Sequence, residues 1–308
     1  MTLSLLCCHV NDVLLGRAKV EKPDLFDVTI SDISSTMLVT LYCRAMESRS
    51  RDPVINDPQA VRIADAINSR LASSDNRLYR DLARGKLDKK LRVFISLRAR
   101  RFDDYARAFL LDNPGGTVVN LGCGLDTRFW RIDDGKLSFF DLDLPDVIEI
   151  KRKLCRETER YHMIASSVLD YNWLWLLENK TGGPVLFLAE GLFMYLEKKA
   201  VRELVLKLQA SYPGCELICE VVNESMIHGW LKGAMNMRMH RQLHVGGGAT
   251  FLSGIRDGKE IESWSPGIRL MDEWSYFDSA EKKLGPARLI GIIPWMHRLQ
   301  WTVHYKLG

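Results

Sequence analysis

A turn with two glycines, and an acid at a fixed distance behind it, form the pattern in this chain that most clearly suggests chemistry. Gly122 and Gly124 follow the apolar run 117–121, and Asp143 ends the next apolar run. Glycine bends the backbone sharply and lets a ligand approach main-chain N–H groups that a Cβ would shield. Asp143 lies 21 residues after Gly122 (143 − 122), which matches the interval of about 20 residues between the glycine turn and the ribose-binding acid of a nucleotide-binding βαβ unit. The spacing predicts a nucleoside site, against the alternative of a structural turn with a surface acid.

Thr127 occupies the position where a dinucleotide-binding fingerprint has its third glycine. That glycine permits close packing of helix and strand around a pyrophosphate. Its replacement disfavours NAD and favours a nucleoside ligand without a pyrophosphate. An NAD-dependent oxidoreductase is therefore a disfavoured alternative, which a nicotinamide cofactor titration would test.

Two stretches carry a resemblance to a known family. The sequence NLGCGLDTRFWR at residues 120–131 resembles the glycine motif of the leucine carboxyl methyltransferase family, and LAEGLFMYL at residues 188–196 resembles its second signature. The family includes the enzyme that methylates the C-terminal leucine of protein phosphatase 2A, and bacterial polyketide O-methyltransferases of the tetracenomycin type. With Asp143 and a basic stretch before the first strand, the likeness covers roughly residues 30–222. Separated motifs in the right order are more specific than a glycine pair alone.

The resemblance implies S-adenosylmethionine as cofactor and assigns its parts to residues of this chain. Asp143 would accept hydrogen bonds from the two ribose hydroxyls, and the backbone at the two glycines would approach the methionine part. An arginine would hold the carboxylate, because a guanidinium donates two parallel hydrogen bonds to it. Glu190, at the end of the fourth strand, would face the ammonium or the sulfonium region. The predicted cofactor-binding residues are Arg98, Gly122, Gly124, Asp143, Leu144, Ser167, Val168 and Glu190, with Ser167 and Val168 beside the adenine.

Arg98 lies in a basic stretch that has three interpretations. Residues 77–107 hold eleven basic and four acidic side chains. The plainest interpretation is a solvated helical face with i,i+4 ion pairs, and a nucleic-acid patch is disfavoured because interleaved aromatic residues are few. The third interpretation concerns Arg98 alone. Aligning residues 108–110 with the last helix before the sheet puts Arg98 just ahead of that helix, where the resembling family has an arginine for the carboxylate of the cofactor.

These residues require a parallel sheet whose strand ends meet at one edge. Apolar runs that alternate with helical patterns predict an α/β fold with helices on both faces of the sheet. The resemblance makes it a Rossmann-like class I methyltransferase, with seven mostly parallel strands and an antiparallel edge. The strands are predicted at 117–121, 137–142, 162–166, 185–189, 216–222, about 287–292 and 299–306, and the helices between the first five at 125–131, 145–158, 171–179 and 197–211.

The sequence predicts a helical N-terminal cover over residues 1–112 and a methyltransferase core over residues 113–308, with a lid insertion at 223–286. In the cover, one helix is expected to be capped by Ser31 or Asp32 and another to start at Pro58, since serine and aspartate cap helices and proline suits a first helical turn. The apolar face of the first helix would consist of Met37, Leu38, Leu41 and Ala45.

The insertion is rich in methionine and tryptophan and contains three successive glycines, 246–248. Loops at the carboxyl ends of parallel strands form the binding crevice of such folds. The insertion would then line an apolar or aromatic substrate pocket. A subdomain core is an equal alternative, because methionine fills irregular gaps anywhere.

Composition and charge limit the other functions. Of the 308 residues, 46% are hydrophobic and 27% charged, which is ordinary for a globular protein, and the net charge of +4 is too small to indicate a nucleic-acid partner. The seven cysteines lack a C-x-x-C spacing, which favours reduced thiols over disulfides or a zinc site. No signal peptide is evident, and nothing approaches the ~18 apolar residues of a membrane span. We expect a soluble, cytoplasmic protein without a membrane partner.

No side chain stands out as a catalytic base. His240 and His244 are spaced i,i+4 with His228 upstream, but no cysteine or acid nearby completes a metal site, so surface or core histidines are the default and no metal is expected. Tyr195 has two equal interpretations, contact with substrate or cofactor and packing in the core. A carboxylate acceptor is already ionised at pH 7, whereas a phenol, with a pKa of about 10, would benefit from a base.

The sequence thus predicts an S-adenosylmethionine-dependent O-methyltransferase that acts on a carboxylate or hydroxyl of a small, polyketide-like molecule. The choice of a small molecule rests on the likeness of the first helices to the bacterial branch and on the insertion. One alternative is a protein C-terminal carboxyl methyltransferase. Another is a non-catalytic nucleoside-binding module, which the intact glycines and acids disfavour.

Overall fold

A single seven-stranded sheet organises the part of the chain that the computed structural model describes, which comprises residues 32–178, 180, 182–227, 233 and 250–308. The strands are β1 (Thr117–Leu121), β2 (Ser138–Asp143), β3 (Tyr161–Ala165), β4 (Val185–Ala189), β5 (Cys215–Val222), β6 (Ile268–Ser275) and β7 (Gln300–Leu307). Their order is β3-β2-β1-β4-β5-β7-β6. The first five strands are parallel, and β7 runs antiparallel between β5 and β6. The predicted seven-stranded, mostly parallel sheet is confirmed.

The helices of the described residues alternate with the strands after an all-helical start. They are α1 (Asp32–Ser48), α2 (Pro58–Ser73), α3 (Arg77–Ala83), α4 (Lys89–Asp112), α5 (Arg128–Ile132), α6 (Pro145–Leu154), α7 (Asn172–Glu178), α8 (Lys198–Ser211), α9 (Lys259–Glu262) and α10 (Pro294–His297). Turns of 3-10 helix lie at Phe193–Tyr195, Glu224–Ile227, Tyr276–Asp278 and Lys282–Ile292. None of these helices is long and apolar enough to cross a membrane.

Two hydrophobic clusters lie on opposite faces of the sheet, because successive residues of a strand point to opposite sides. Val118 of β1 belongs to the cluster that includes Phe102 of α4, together with buried residues of α1 and α2. Its neighbour Val119 belongs to the cluster on the other face, with Leu204 of α8 and Trp301 of β7. The N-terminal helices therefore share a core with one face of the sheet.

The start of the cover follows the sequence pattern in the residues described. The predicted apolar face of α1 is buried, with Leu38, Leu41 and Ala45 each at most 2% exposed. At the start of α2, the Asp57 side chain accepts a hydrogen bond from the Ala60 N–H. Residues 1–30, for which the sequence carries little periodic signal, lie outside the described part of the chain.

The strand predicted at 287–292 is wrong. That stretch belongs to the 3-10 segment Lys282–Ile292, where Gly285 has a φ of +52° and Pro286 follows. The sixth strand is β6, inside the predicted insertion. It was hard to predict because its in–out alternation is broken by an irregularity between Leu270 and Asp272. The remaining predicted strands agree with the observed ones to within one residue at each end.

Two predicted helices differ in length: that predicted at 145–158 ends at Leu154, and that predicted at 125–131 begins only at Arg128. In the insertion, Met226, Trp264 and Trp274 each pack in or against a hydrophobic cluster. The remaining residues on which the predicted substrate pocket depends lie outside the described part of the chain. These residues are Trp230, Met235, Met237, Met239 and the glycines 246–248.

Candidate functional site

The turn after β1 joins the two glycines to the acid at the end of β2. Gly122 and Gly124 have φ values of +64° and +48°, in the left-handed region that residues with a Cβ rarely adopt. The N–H groups of Gly122 and Cys123 donate to the Leu142 carbonyl over 2.8 and 3.1 Å. The Gly124 N–H donates to Asp143 Oδ2 over 2.7 Å. The structure therefore brings together the glycines and the acid that the sequence singled out.

Asp143 is half-buried and keeps accepting capacity. Its Oδ1 accepts the N–H of the exposed Leu144 over 2.8 Å, and Oδ2 accepts that of Gly124. A carboxylate oxygen has two lone pairs, so each oxygen can accept one further hydrogen bond. Burial raises the pKa of Asp143 above its ordinary value, although the two N–H groups act to lower it.

Both glycines also allow close packing from above the turn. A Cβ on Gly124 would lie 3.1 Å from Cγ of Met37 in α1, and a Cβ on Gly122 would lie 2.9 Å from Cδ1 of Leu192. The cover is further tied to the turn by Arg44, whose Nη2 donates to the Leu125 carbonyl over 2.8 Å. The helical cover thus reaches the glycine turn directly.

Glu190, directly after β4, lies between two arginines. Its Oε1 is 2.8 Å from Nε of Arg98, and its Oε2 is 2.5 Å from Nη2 of Arg128. Burial acts to raise the pKa of Glu190, but the charges of Arg98 and Arg128 outweigh it and the pKa is lowered. Arg98 itself lies inside α4 rather than ahead of a helix, because α4 already begins at Lys89. The pairing of Arg98 with Glu190 joins two predicted site residues.

Glu220 is a buried partner of Arg98 that the sequence interpretation did not single out. It lies in β5 and is fully buried. Its Oε2 accepts from Nη1 of Arg98 over 3.0 Å, and its Oε1 accepts from the Tyr276 hydroxyl and from Nε2 of Gln300, each over 2.7 Å. The sequence did contain one indication of its importance, a glutamate within the apolar run 215–222. An acid buried in a strand needs hydrogen-bond or ion-pair partners.

The arginine that follows the glycine turn was also missed. Arg128 is 1% exposed and pairs with Asp103 of α4 over 2.9 Å and with Asp126 over 2.8 Å, besides Glu190. Burial acts to raise the pKa of Asp126, but Arg128 and Arg131 outweigh it and lower the pKa. Arg128 therefore fixes the turn, α4 and the end of β4 relative to one another.

Asp57 anchors the same motif to the cover. It is fully buried and accepts from Nε of Arg44 over 3.0 Å, from Nη1 of Arg131 over 2.7 Å and from the hydroxyl of Thr127 over 2.5 Å. The pKa of Asp57 is lowered because the charges of Arg131 and Arg44 outweigh its burial. Thr127, which replaces a third glycine, is thus a buried link between the turn and α2.

Ser167 and Val168 follow β3, which lies beside β2. The preceding Ser166 N–H donates to the Asp143 carbonyl over 2.9 Å, so this loop lies at the same edge of the sheet as the glycine turn. Ser167 is partly exposed, and its Oγ accepts the Leu169 N–H over 3.2 Å. The Val168 side chain is 8% exposed and packs in the cluster on the α8 face.

Tyr195 packs against a neighbouring aromatic ring, and the described residues contain no metal-binding cluster. The ring of Tyr195 packs edge-on against Phe251, with centroids 5.6 Å apart, and burial raises the pKa of its hydroxyl. The described residues contain no group of three or more histidines, cysteines or acids that could hold a metal ion. The three histidines of the metal alternative, His228, His240 and His244, lie outside them.

The donor set fits a nucleoside that carries an amino-acid group. Asp143 offers acceptors for two hydroxyls. Glu190 offers a charged acceptor for an ammonium group, and Arg98 offers a cation for a carboxylate. Among the hydrogen bonds of the described residues, Nη2 of Arg98 has no partner, while Nε and Nη1 are engaged. This nitrogen is available to a ligand.

Comparison with known proteins gives consistent results. A model of the family described as leucine carboxyl methyltransferase matches residues 37–209. The chain is 30% identical over 282 residues to the tetracenomycin polyketide synthesis O-methyltransferase TcmP of Streptomyces glaucescens, covering 88% of this chain and 97% of TcmP. It is 32% identical over 261 residues to the S-adenosyl-L-methionine-dependent methyltransferase dpfgK of Gibberella zeae, covering 79% of this chain and 82% of dpfgK.

A solved structure shows the same fold at low sequence identity. A DUF574 family protein from Streptomyces avermitilis superposes with a TM-score of 0.51 at 14% identity, covering 88% of this chain and 96% of that one. The agreement extends over the N-terminal helices as well as the sheet, because the superposed share exceeds the 196 residues (308 − 112) that follow α4.

Proposed function

The chain belongs to the leucine carboxyl methyltransferase family, and on this premise we propose that it transfers a methyl group from S-adenosylmethionine to an oxygen atom of a small molecule. The family resemblance of the two motifs is confirmed, and with it the enzyme class: the protein is an S-adenosylmethionine-dependent methyltransferase. The residues that bind the cofactor and the identity of the acceptor are the proposal.

We assign the adenosyl part of the cofactor to the turn between β1 and α5. Asp143 accepts hydrogen bonds from the ribose hydroxyls, with Leu144 beside it. The backbone at Gly122 and Gly124 approaches the methionine part of the cofactor. The observation that carries this assignment is the 2.7 Å hydrogen bond from the Gly124 N–H to Asp143. It puts the glycine backbone and the acid within reach of one ligand. Ser167 and Val168, in the neighbouring loop, complete the adenine side.

Arg98 and Glu190 hold the amino-acid part. A guanidinium suits the carboxylate and an ionised acid suits the ammonium group; Glu190 is ionised because two arginines lower its pKa. S-adenosylmethionine, when bound, supplies an electrophilic methyl group on a sulfonium. The chain has to align the acceptor oxygen with that methyl group and exclude water, and proximity of this kind supplies several kcal/mol of rate acceleration.

The acceptor is a carboxylate or hydroxyl of a polyketide-like molecule. This choice is supported by TcmP, which is described as a polyketide O-methyltransferase and which this chain matches over nearly its whole length. A carboxylate needs no general base at neutral pH. A protein C-terminal carboxylate is the alternative acceptor within the family.

Methyl incorporation separates the two acceptors. Purified enzyme and S-adenosylmethionine with a labelled methyl group are added to an extract of the cells that contain the protein. The extract is then divided into protein and small-molecule fractions. We expect label in the small-molecule fraction, released by hydrolysis with base if the product is an ester. Label confined to protein would contradict the proposed acceptor and support the alternative.

A nucleoside-binding module without catalysis is tested by calorimetry with S-adenosylhomocysteine together with the methyl-transfer assay. We expect saturable heat and methyl transfer, whereas heat without any methyl transfer would support the module. The absence of heat at millimolar ligand, together with no methyl transfer, would overturn the assignment of the site.

A further inference from the structure

We propose that Glu220 is a positioning residue, which holds the Arg98 guanidinium in place for the cofactor's carboxylate while Glu190 serves the cofactor's ammonium group. The inference rests on the proposed function, because it assumes that Arg98 and Glu190 bind the amino-acid part of S-adenosylmethionine. Glu220 belongs to neither of the two sequence motifs.

Glu220 is held from three directions. Its carboxylate accepts from Arg98 of α4, from the Tyr276 hydroxyl after β6 and from Gln300 at the start of β7, at 3.0, 2.7 and 2.7 Å. Its side chain is 1% exposed. A buried carboxylate with three donors has little freedom to move, because each lost hydrogen bond would leave a buried polar group unsatisfied. Glu220 is therefore a fixed anchor.

The anchor leaves one side of the guanidinium open. Nη1 of Arg98 binds Glu220, Nε binds Glu190, and Nη2 has no hydrogen-bond partner among the described residues. Gly191, with a φ of +64°, lies against the same group, and a Cβ there would be 3.6 Å from both Nη1 and Nη2. Because Gly191 has no side chain, it leaves space on the side of Arg98 that a carboxylate would approach.

Glu190 and Glu220 differ in the hydrogen-bond partners that remain to them when Arg98 also binds a ligand. Glu190 is 12% exposed and retains Arg128 at its second oxygen. It can give its hydrogen bond with Arg98 up to an ammonium group without losing all its partners. Without Glu220, the acidic partner left to Arg98 would be Glu190. The ion pair between Arg98 and Glu190 would then have to break before the cofactor's carboxylate and ammonium group could bind.

Two ligands that differ only in the amino-acid part make the idea testable. S-adenosylhomocysteine carries the adenosyl group, the carboxylate and the ammonium group, whereas 5′-methylthioadenosine carries only the adenosyl thioether. An effect that passes through Arg98 lowers the affinity for S-adenosylhomocysteine and leaves that for 5′-methylthioadenosine unchanged. A general loss of structure lowers both affinities.

The experiment measures both dissociation constants by calorimetry for the full chain and three variants. Glu220→Gln keeps the shape but removes the charge; we expect about a tenfold weaker affinity for S-adenosylhomocysteine, as for the loss of a hydrogen bond to a charged group. The affinity for 5′-methylthioadenosine should be unchanged. Tyr276→Phe removes one donor to Glu220 and should cause a smaller loss with the same selectivity. The matched control is Glu216→Gln, in the same strand but paired with His304 and Lys306, which should leave both affinities unchanged.

The outcomes separate the two levels of inference. If the unmodified protein binds neither ligand, the proposed function fails, and this inference fails with it. In a second outcome, the unmodified protein binds both ligands while folded Glu220→Gln loses affinity for both equally, or for neither. In that case Glu220 is not a positioning residue and the proposed function stands. If Glu220→Gln does not fold, the ratio of the two affinities in Tyr276→Phe decides in the same way.

Discussion

Two acids of the proposed cofactor site have pKa values that are shifted in opposite directions. Asp143 is flanked by backbone N–H groups, and its burial raises its pKa. Glu190 is buried too, but Arg98 and Arg128 outweigh the burial and lower its pKa. Burial therefore shifts the protonation of Asp143 towards higher pH, and the two arginines shift that of Glu190 towards lower pH. The two ends of the proposed cofactor site respond differently to acid.

A pH profile of ligand binding follows from this difference. A protonated Asp143 has fewer acceptor sites for the ribose hydroxyls, so affinity for S-adenosylhomocysteine should fall as the pH drops through the raised pKa of Asp143, above the ordinary value of about 3.9. The lowered pKa of Glu190 moves its own titration towards more acidic solution. Calorimetry at decreasing pH measures the profile, and Asp143→Asn should flatten it. An equally steep profile in that variant would assign the titration to another group.

Truncation of the same acid should affect every adenosyl ligand. Asp143→Ala removes the ribose acceptors and should weaken S-adenosylhomocysteine by ~1–3 kcal/mol. Because 5′-methylthioadenosine has the same ribose, its affinity should fall equally, in contrast to the selectivity expected for Glu220→Gln. Unchanged affinity for both ligands would mean that Asp143 is misassigned.

At the scale of the elements, Asp57 connects the start of α2 to the helix that follows the glycine turn. Its contacts with Arg44 and Arg131 are buried ion pairs, and a buried pair that loses one partner leaves an uncompensated charge. Asp57→Asn is a selective change because asparagine caps a helix about as well as aspartate. We expect the free energy of unfolding to fall by ~3–5 kcal/mol, measured by urea denaturation at neutral pH.

The control for this variant is Asp65→Asn. Asp65 pairs with Arg49, but the two side chains are 60% and 49% exposed, and exposed pairs contribute at most about 1 kcal/mol. The difference should also depend on pH. Because the pKa of Asp57 is lowered by folding, its contribution is present above the unfolded pKa and lost as the pH falls through the folded one. The stabilities of the protein and the Asp57→Asn variant should therefore converge in acid; parallel curves would contradict the assigned charge effect.

Local patterns predicted most elements, and non-local pairing explains the failures. β1 and β4 were predictable because each is a short, wholly buried apolar run. β6 was not, since its pairing with β7 determines it and its burial does not alternate. For the site, Gly124 and Asp143 follow from spacing. Glu220 does not, because its importance depends on Tyr276 and Gln300, which are 56 and 80 residues away in sequence.

The whole molecule should unfold as one unit over its described residues. The cluster on one face of the sheet joins Leu41 of α1 and Phe102 of α4 to Val118 and Leu186 of the strands, so the N-terminal helices cannot separate without exposing the sheet. We propose a single transition on this basis. Far-UV circular dichroism and tryptophan fluorescence should give the same midpoint in urea. A separate early loss of helix would instead support an independently folding cover.

The antiparallel strand has a consequence for how the protein is made. β7 pairs with both β5 and β6, yet the ribosome produces it after either of them. Until residues 300–307 emerge, the nascent chain presents two open strand edges, which are sites of aggregation. Gln300 is also missing from Glu220 during that interval. A translation product that stops short of β7 would thus lack one of the three donors that hold Glu220.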